Sequence, residues 1–105
     1  MTEAIVALST VGNADDARRI ARALVERRLA ACVNVVPGIT SIYSWKGGIE
    51  TDDELLLVIK TRRERLEELR AALVEMHPYE VPELIAVGVE AGNPAYLQWL
   101  QETVT

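Results

Sequence analysis

The hydrophobic periodicity of this chain changes along its length in a way that few folds can satisfy. Short apolar or β-branched runs, typical of strands, alternate with stretches whose apolar residues recur every three to four positions, typical of helices. The resulting order is strand, helix, strand, strand, helix, strand, helix. The first six elements form the split βαβ arrangement of a ferredoxin-like sandwich. We therefore predict an α+β fold with four antiparallel strands, the first two helices on one face, and an added C-terminal helix.

The first strand and helix are bounded by local signals. The apolar run Ile5–Leu8 predicts a strand, which Gly12 and Asn13 end. Asn13 is suited to cap a helix that follows at once, and Asp15 lies in its first turn. Apolar residues at helical spacing predict that this helix continues to about Leu29; they are Ala17, Ile20, Ala21 and Leu24.

A long β-hairpin is predicted next. Residues 31–45 are rich in Val, Ile, Thr, Tyr and Trp and read as one strand, bent at Pro37-Gly38. Gly47-Gly48 is a two-residue hairpin turn signal, and the return strand runs through Leu55–Ile59 to Lys60.

The C-terminal half is predicted in the same way. Thr61 and Glu64 have the spacing of a capping box, ahead of a helix that runs to Met76 and is stopped by Pro78. Another strand is predicted over residues 84–89. Asn93-Pro94 then caps a final short helix with apolar residues along one side, namely Leu97, Leu100 and Val104.

The predicted sheet has an unusual amount of apolar surface. Three of its four strands are apolar at consecutive positions, whereas a sheet open to water on one face should alternate. The fifteen residues 31–45 could reach roughly 50 Å, against about 24 Å for the first helix, so the hairpin should extend beyond its own helices. The third helix can cover only part of this surface, and we expect an obligate oligomer. The apolar residues of the outer hairpin are Ile39, Ile42, Tyr43, Trp45 and Ile49.

Length and composition limit the function classes. The 105 residues predict one domain, residues 1–105, and the net charge of −5, with arginines interleaved among acidic residues, argues against nucleic acid as a partner. No apolar run approaches the roughly 18 residues of a membrane span, and no targeting segment is visible. The lone Cys32 excludes an internal disulfide and makes a reducing compartment the default. Without a phosphate-binding loop, a nucleophile elbow or paired carboxylates at a strand end, we do not expect an enzyme.

Candidate functional residues cluster after the second helix. His77, Tyr79 and Glu80 place an imidazole, a phenol and a carboxylate within four residues. His77 either serves the helix C-terminus or, with Glu80, lines a cleft between subunits as a ligand or acid–base group. Trp45 either packs an interface or stacks on a ligand, and Lys60 either binds an anion or is solvated. Cys32 is interpreted as a small apolar strand residue, with a ligand or nucleophile as the alternative.

Several segments together resemble the CutA divalent-cation-tolerance family, in order and over nearly the whole chain. This resemblance implies a ferredoxin-like fold, a tight homotrimer, a mainly cytoplasmic location and a link to copper and other divalent metals. The segments are 29–34 (LAACVN), Pro37-Gly38, 41–45 (SIYSW), 57–61 (LVIKT), 77–83 (HPYEVPE) and 96–100 (YLQWL).

The resemblance also indicates where copper ligands would lie. Family members to which copper binding is ascribed have a Cys near the end of the first strand and two adjacent His before the Pro-Tyr pair. This chain has Ser9 at the first place and Met76-His77 at the second, so His77 is the one strong candidate ligand. A thioether suits Cu(I) better than Cu(II) and a hydroxyl is a poor ligand for either, so we expect Cu(II) or another divalent cation to bind weakly.

Two functional hypotheses follow. In the first, the protein is a homotrimer that binds a divalent metal or small ligand at intersubunit clefts, with His77 as metal ligand and Trp45, Lys60, Tyr79 and Glu80 as further binding residues. In the second, it is a signalling or scaffolding trimer, similar in architecture to the PII regulators, that binds a protein or nucleotide. Metal titration against a pull-down and nucleotide screen would separate the two.

Overall fold

The computed structural model describes residues 2–105, whose strands and helices follow the predicted order. All strand pairs are antiparallel, and the sheet order is β2-β3-β1-β4. The ferredoxin-like α+β fold with an added C-terminal helix is thereby confirmed. The elements are β1 (Ala4–Val11), α1 (Ala14–Glu26), β2 (Cys32–Trp45), β3 (Gly48–Arg62), α2 (Leu66–Met76), β4 (Ile85–Gly88) and α3 (Pro94–Thr103).

Helix α1 starts as predicted and ends earlier. The Asn13 side-chain oxygen accepts a 2.8 Å hydrogen bond from the backbone N–H of Asp16, which is the expected N-cap. The helix stops at Glu26, short of Leu29, because Arg28 adopts a left-handed φ of 58°. The backbone N–H of Leu29 then closes the helix end by donating to the Leu24 carbonyl at 2.9 Å.

The hairpin turn lies one residue earlier than predicted. Lys46 and Gly47 have φ of 49° and 80°, and Trp45 pairs with Gly48. Two consecutive left-handed residues match the twist of the flanking strands, which is why the turn forms at Lys46-Gly47 and not at Gly47-Gly48. The predicted irregularity in β2 is confirmed, since the register shifts between Val36 and Ile39.

The predicted capping box at Thr61 and Glu64 is wrong. Thr61 is buried, and its hydroxyl donates to the Leu29 carbonyl at 2.6 Å. Residues 63–65 form a 3-10 turn instead, and α2 begins at Leu66 without a side-chain cap. Glu64 forms an ion pair of 2.6 Å with Arg62. A tertiary acceptor therefore competes successfully for the Thr61 hydroxyl.

The C-terminal elements agree with the predictions, apart from the length of β4. This strand covers Ile85–Gly88, a shorter range than residues 84–89. Helix α3 has Pro94 in its first turn, and the Asn93 side chain accepts a hydrogen bond from the backbone N–H of Ala95 at 3.3 Å. α3 packs on one end of the sheet through a small apolar cluster of Ala4, Ala31, Leu100 and Val104.

The two sheet faces differ in how well they are covered. Helices α1 and α2 bury one face, where the main apolar core forms. We call the opposite side the outer face; strand alternation places Leu8, Val58 and Ile85 there. α3 covers only its end, and Ile85 and Val87 on the edge strand β4 are 57% and 56% exposed. A large apolar sheet surface is thus open in the single subunit.

The hairpin extends beyond the rest of the sheet, as predicted from its length. The last partner of β1 on β3 is Leu55, so residues 48–54 pair only with residues 39–45. The subunit is 44 Å along its longest axis and 25 Å and 23 Å along the others. On the overhanging part, Ile42 and Ile49 are 70% and 80% exposed. Within residues 2–105, every helix is too short or too polar to cross a bilayer.

Candidate ligand-binding cleft at the base of the hairpin

A cleft of about 620 Å³ lies where the hairpin leaves the sheet. Its floor includes Glu54 of β3 and Thr10 of β1, and one wall is formed by the segment between α2 and β4. Asp52 and Glu54 belong to the outer face, because they alternate with the residues that face the helices. The complete lining is Thr10, Ser41, Ile42, Tyr43, Trp45, Asp52, Glu54, Tyr79, Glu80, Val81 and Glu83.

A buried carboxylate is the central feature of this cleft. Glu54 is only 6% exposed, and its Oε2 accepts a 2.7 Å hydrogen bond from the Tyr79 hydroxyl. Burial first, and then this hydrogen bond, raise the pKa of Tyr79 well above its usual value. The Tyr79 hydroxyl therefore keeps its proton at neutral pH and remains a hydrogen-bond donor. Among residues 2–105, none donates a hydrogen bond to the second carboxylate oxygen of Glu54, Oε1.

Gly12 makes room for the Tyr79 side chain. A Cβ atom on Gly12 would lie 3.0 Å from the Tyr79 hydroxyl oxygen. A side chain at the end of β1 would therefore force the Tyr79 phenol to shift from its position beside Glu54.

A second tyrosine–carboxylate pair lies on the hairpin. The Tyr43 hydroxyl of β2 donates a hydrogen bond to Asp52 of β3. This bond is the main reason that the pKa of Tyr43 rises to about 12. Trp45 lies at the end of the same wall and is 38% exposed, and the Lys46 ammonium lies 5.6 Å from the centre of its ring.

The charge of the cleft is negative. Four carboxylates line it, namely Asp52, Glu54, Glu80 and Glu83. Within residues 2–105, no Lys or Arg side chain lines the cleft. Partial desolvation and the nearby charge of Glu54 raise the pKa of Glu83. A cation placed in the cleft would relieve this repulsion.

His77 is held inside the subunit. It is 6% exposed, and its Nδ1 accepts a 3.1 Å hydrogen bond from the backbone N–H of Tyr79. Since Nδ1 is an acceptor, the neutral ring carries its proton on Nε2, which lies 2.8 Å from the Thr10 carbonyl and donates to it. The ring also packs against that of Tyr79 at 4.6 Å. His77 thus positions the Tyr79 segment against β1, and a metal could bind it only by displacing one of these bonds.

Three of the five predicted site residues come together. Trp45, Tyr79 and Glu80 line the cleft, and His77 lies directly behind Tyr79. Lys60 does not join them: it pairs with Cys32 on β2, its ammonium contacts the side chain of Asn34, and it is absent from the cleft lining. Strand alternation places Lys60 on the outer face, but several residues along β3 from the base of the hairpin.

The positions implied as copper ligands do not fit that metal. The hydroxyl of Ser9 is buried without a hydrogen-bond partner, and both His77 nitrogens are engaged. In the part of the chain that the structure describes, no three His, Cys, Asp or Glu side chains converge as a metal site would require. The half-buried Cys32 lies with Asn34, away from the cleft. Residues 2–105 of a single subunit therefore do not assemble the imidazole or thiolate set that Cu(II) prefers.

Sequence reasoning missed Glu54, Glu83 and Gly12. The signal for Glu54 was a carboxylate two residues after another one, directly before the apolar run 55–59. On a strand this spacing puts Asp52 and Glu54 on one face, although an acidic run is also typical of a solvated surface. For Gly12, the helix cap that follows it explained the residue equally well.

Fold and site together define a class: a ferredoxin-like domain with an overhanging hairpin, an open apolar sheet face and an acidic, aromatic cleft between them. A family model described as CutA1 divalent ion tolerance protein matches residues 5–103. The chain belongs to this family, as the sequence resemblance indicated.

Individual relatives agree in sequence and in structure. A divalent-cation tolerance protein CutA from Thermus thermophilus is 52% identical over 97 residues, which cover 92% of this chain and 94% of that protein. A solved structure of a divalent cation tolerance protein from Thermus thermophilus superposes with a TM-score of 0.95 at 49% identity, over 97% of this chain and 99% of that one. Human protein CutA is 53% identical over 91% of this chain.

The relatives differ in length and in the compartment that their names give. This chain spans 63% of the Xenopus laevis relative and 54% of the human one. An Arabidopsis thaliana relative, 44% identical over 94% of this chain, is named chloroplastic. A solved structure from Archaeoglobus fulgidus, with a TM-score of 0.94 and 38% identity, is that of a protein named as a periplasmic divalent cation tolerance protein.

Proposed function

We propose that this protein acts in divalent-cation tolerance as a homotrimer that binds a cation or small ligand in the acidic cleft near the junction between subunits. The observation that carries the proposal is the position of Glu54: a carboxylate that is 6% exposed, at the floor of a negatively charged cleft, on the sheet face that lacks a cover. No catalytic step is part of this proposal.

The trimer is supported by the apolar surface of the single subunit. The edge strand β4 exposes Ile85 and Val87 by more than half, and the hairpin exposes Ile42 and Ile49 still further. Burial of apolar surface is worth about 25 cal/mol per Å², so covering residues of this size contributes substantially to association. The number of three subunits comes from the family resemblance. Because the cleft opens on the same face, a neighbouring subunit would border it.

The cleft favours cations over anions. Its four carboxylates and lack of a described basic lining residue would repel the phosphates of a nucleotide, which disfavours the nucleotide form of the PII-like alternative at this place. The net charge of −5 argues in the same direction against nucleic acid. A cytoplasmic location remains part of the proposal.

Weak binding of divalent metal is expected. Carboxylate oxygens suit hard cations such as Mg²⁺ and Mn²⁺, whereas Cu(II) and Zn(II) prefer imidazole or thiolate sets that this subunit does not assemble within its described residues. Because the carboxylates of the cleft do not converge on one point, we propose micromolar or weaker binding of Cu(II), in which Glu54 takes part. The prediction that the imidazole of His77 binds the metal is tested by the His77→Ala variant described next.

Isothermal titration of the purified protein with Cu(II) and Mn²⁺ in a non-chelating buffer tests the proposal. Wild type is compared with Glu54→Gln, with His77→Ala, and with Glu68→Gln, which removes a carboxylate from the exposed side of α2. We expect weak binding that Glu54→Gln reduces and Glu68→Gln leaves unchanged. If only His77→Ala abolishes binding, the metal ligand is His77 and not Glu54. If none of the three substitutions changes the affinity, the metal binds outside the cleft, and the proposal is contradicted.

A further inference from the structure

The size of the cleft does not match a bare metal ion. Its volume of about 620 Å³ lies inside the range of roughly 300–1,000 Å³ that small-molecule sites occupy. A metal ion needs several donor atoms arranged around one point. Within residues 2–105, no three Asp, Glu, His or Cys side chains are close enough together to supply them. The carboxylates of the cleft are spread along it instead. This spacing favours a ligand whose positive charge is carried on an extended body.

The walls of the cleft are aromatic and aliphatic. Ile42, Trp45 and Val81 supply apolar surface, and the ring of Tyr43 lies on the same side as that of Trp45, two residues apart on β2. Aromatic faces attract ammonium groups through their quadrupole, and indole is the best of them. Trp45 already has such a neighbour, because the ammonium of Lys46 lies 5.6 Å from its ring centre.

The floor of the cleft holds an acceptor that the chain leaves free. Glu54 is more than nine-tenths buried, and only its Oε2 is used, by Tyr79. Its Oε1 accepts no hydrogen bond from any residue between 2 and 105. Oε1 is not sealed from solvent as the Ser9 hydroxyl is, so a ligand in the cleft can reach it, and an ammonium group would donate a charge-assisted hydrogen bond to it. Glu83, whose pKa is raised partly by the charge of Glu54, lines the same cleft.

We propose that the cleft binds a small aliphatic organic cation, in which an ammonium group donates to Glu54 and the carbon chain lies against Trp45 and Tyr43. This inference rests on the proposed function in one respect, namely that the cleft stays open in the assembled trimer. It adds the class of ligand: an alkyl amine in preference to a hydrated divalent metal.

Calorimetric titration of the purified protein with putrescine tests the ligand class. The matched probe is 1,4-butanediol, which has the same carbon chain and no charge, and Mg²⁺ serves as a compact divalent cation. We expect putrescine to bind at least tenfold more tightly than either. If the diol binds as tightly as putrescine, the cleft does not recognise the positive charge. If Mg²⁺ binds as tightly or more tightly, the cleft does not recognise the carbon chain. Either result overturns the inference, as does the absence of putrescine binding.

Variants locate the site. Glu54→Gln should weaken putrescine at least tenfold while keeping the shape of the side chain, and Trp45→Leu should weaken it several-fold. Glu68→Gln is the control and should change nothing. If Glu54→Gln does not fold, Glu83→Gln takes its place, with the same direction of effect expected. Unchanged affinity in the folded cleft variants would contradict the assignment.

The inference and the proposed function can fail separately. Metal titration and sedimentation of the same samples report on the trimer and its cation site without putrescine. If putrescine does not bind while metal binding still depends on Glu54, the ligand class is wrong and the proposed function stands. If neither ligand depends on Glu54, both are wrong.

Discussion

The hydroxyl of Tyr79 donates a 2.7 Å hydrogen bond to the carboxylate of Glu54, and so joins the segment after α2 to the base of the hairpin. The two residues come from distant parts of the chain and meet on the outer sheet face. His77 holds the same segment from behind, through its bonds to the Tyr79 N–H and the Thr10 carbonyl. The floor and the wall of the cleft are thereby fixed relative to each other within one subunit.

Tyr79→Phe should destabilise the protein by about 1–3 kcal/mol, because it leaves a buried carboxylate without its hydrogen-bond donor. Denaturant unfolding at one fixed protein concentration measures the effect. Tyr96→Phe is the control, since the Tyr96 hydroxyl on α3 makes no hydrogen bond within residues 2–105 and this side chain is 42% exposed. Equal stability of the two variants would mean that the bond to Glu54 contributes nothing.

Gly12→Ala should displace the Tyr79 phenol, because the added Cβ would lie 3.0 Å from its oxygen. Because the ring is partly exposed and can shift, the main cost is the weakened bond to Glu54, about 1 kcal/mol. Gly92→Ala is the matched control: there the new Cβ would lie 3.5 Å from the Leu97 side chain, an ordinary contact. The same unfolding experiment measures both variants, and a Gly12→Ala protein as stable as Gly92→Ala would argue that Tyr79 moves aside freely.

Glu83 should titrate above the ordinary carboxyl pKa of 4.5, because partial desolvation and the charge of Glu54 disfavour its ionised form. A raised pKa in the folded state means that the folded protein binds more protons than the unfolded chain just above pH 4.5. The ionised Glu83 therefore lowers stability as pH rises through its folded pKa, and the penalty disappears below the unfolded value.

Carboxyl-carbon NMR over pH 3 to 7 measures this titration directly. In Glu54→Gln the Glu83 pKa should return toward 4.5, since one of its two causes is removed. Relative to wild type, Glu83→Gln should gain stability at neutral pH and lose that advantage in acid. A Glu83 carboxyl that titrates at its ordinary value in wild type would contradict the described electrostatics of the cleft.

Tyr43→Asp with Trp45→Asp should weaken subunit association before it affects the fold of the single domain, because it adds charge at the rim of the cleft, which we expect a neighbouring subunit to border. Size-exclusion chromatography with light scattering over a dilution series measures association, and circular dichroism measures the fold. Val74→Asp on α2, where Val74 is 44% exposed on the helix layer, is the control for adding charge at an exposed apolar residue. Unchanged oligomer size in the double variant would place the hairpin aromatics outside the interface.

The order of elements could be predicted from the sequence because each is encoded locally. Asn13 and Asn93 cap helices within three residues of their own position, and the period of the apolar residues separates strands from helices. The errors arose where a distant group decides the local structure. The hydroxyl of Thr61 bonds to Leu29, which lies 32 positions earlier, and so never caps the next helix.

The site was predicted only in part for the same reason. Tyr79 and Glu80 are neighbours in sequence, so their cluster was visible, whereas Glu54 is 25 positions from Tyr79 and gave no sign of its burial. Lys60, which the sequence groups with them, lies elsewhere because β3 carries it away from the hairpin base. The pairing register decides both outcomes, and the sequence alone does not fix the register across the irregularity after Val36.

Sedimentation equilibrium of the wild-type protein tests the central claim most directly, since the open sheet face and the overhanging hairpin of the single subunit are the basis for proposing a trimer. At micromolar concentration we predict a single species of three chain masses, each of 11.6 kDa. A folded species of one chain mass, with the outer face exposed to water, would contradict the account.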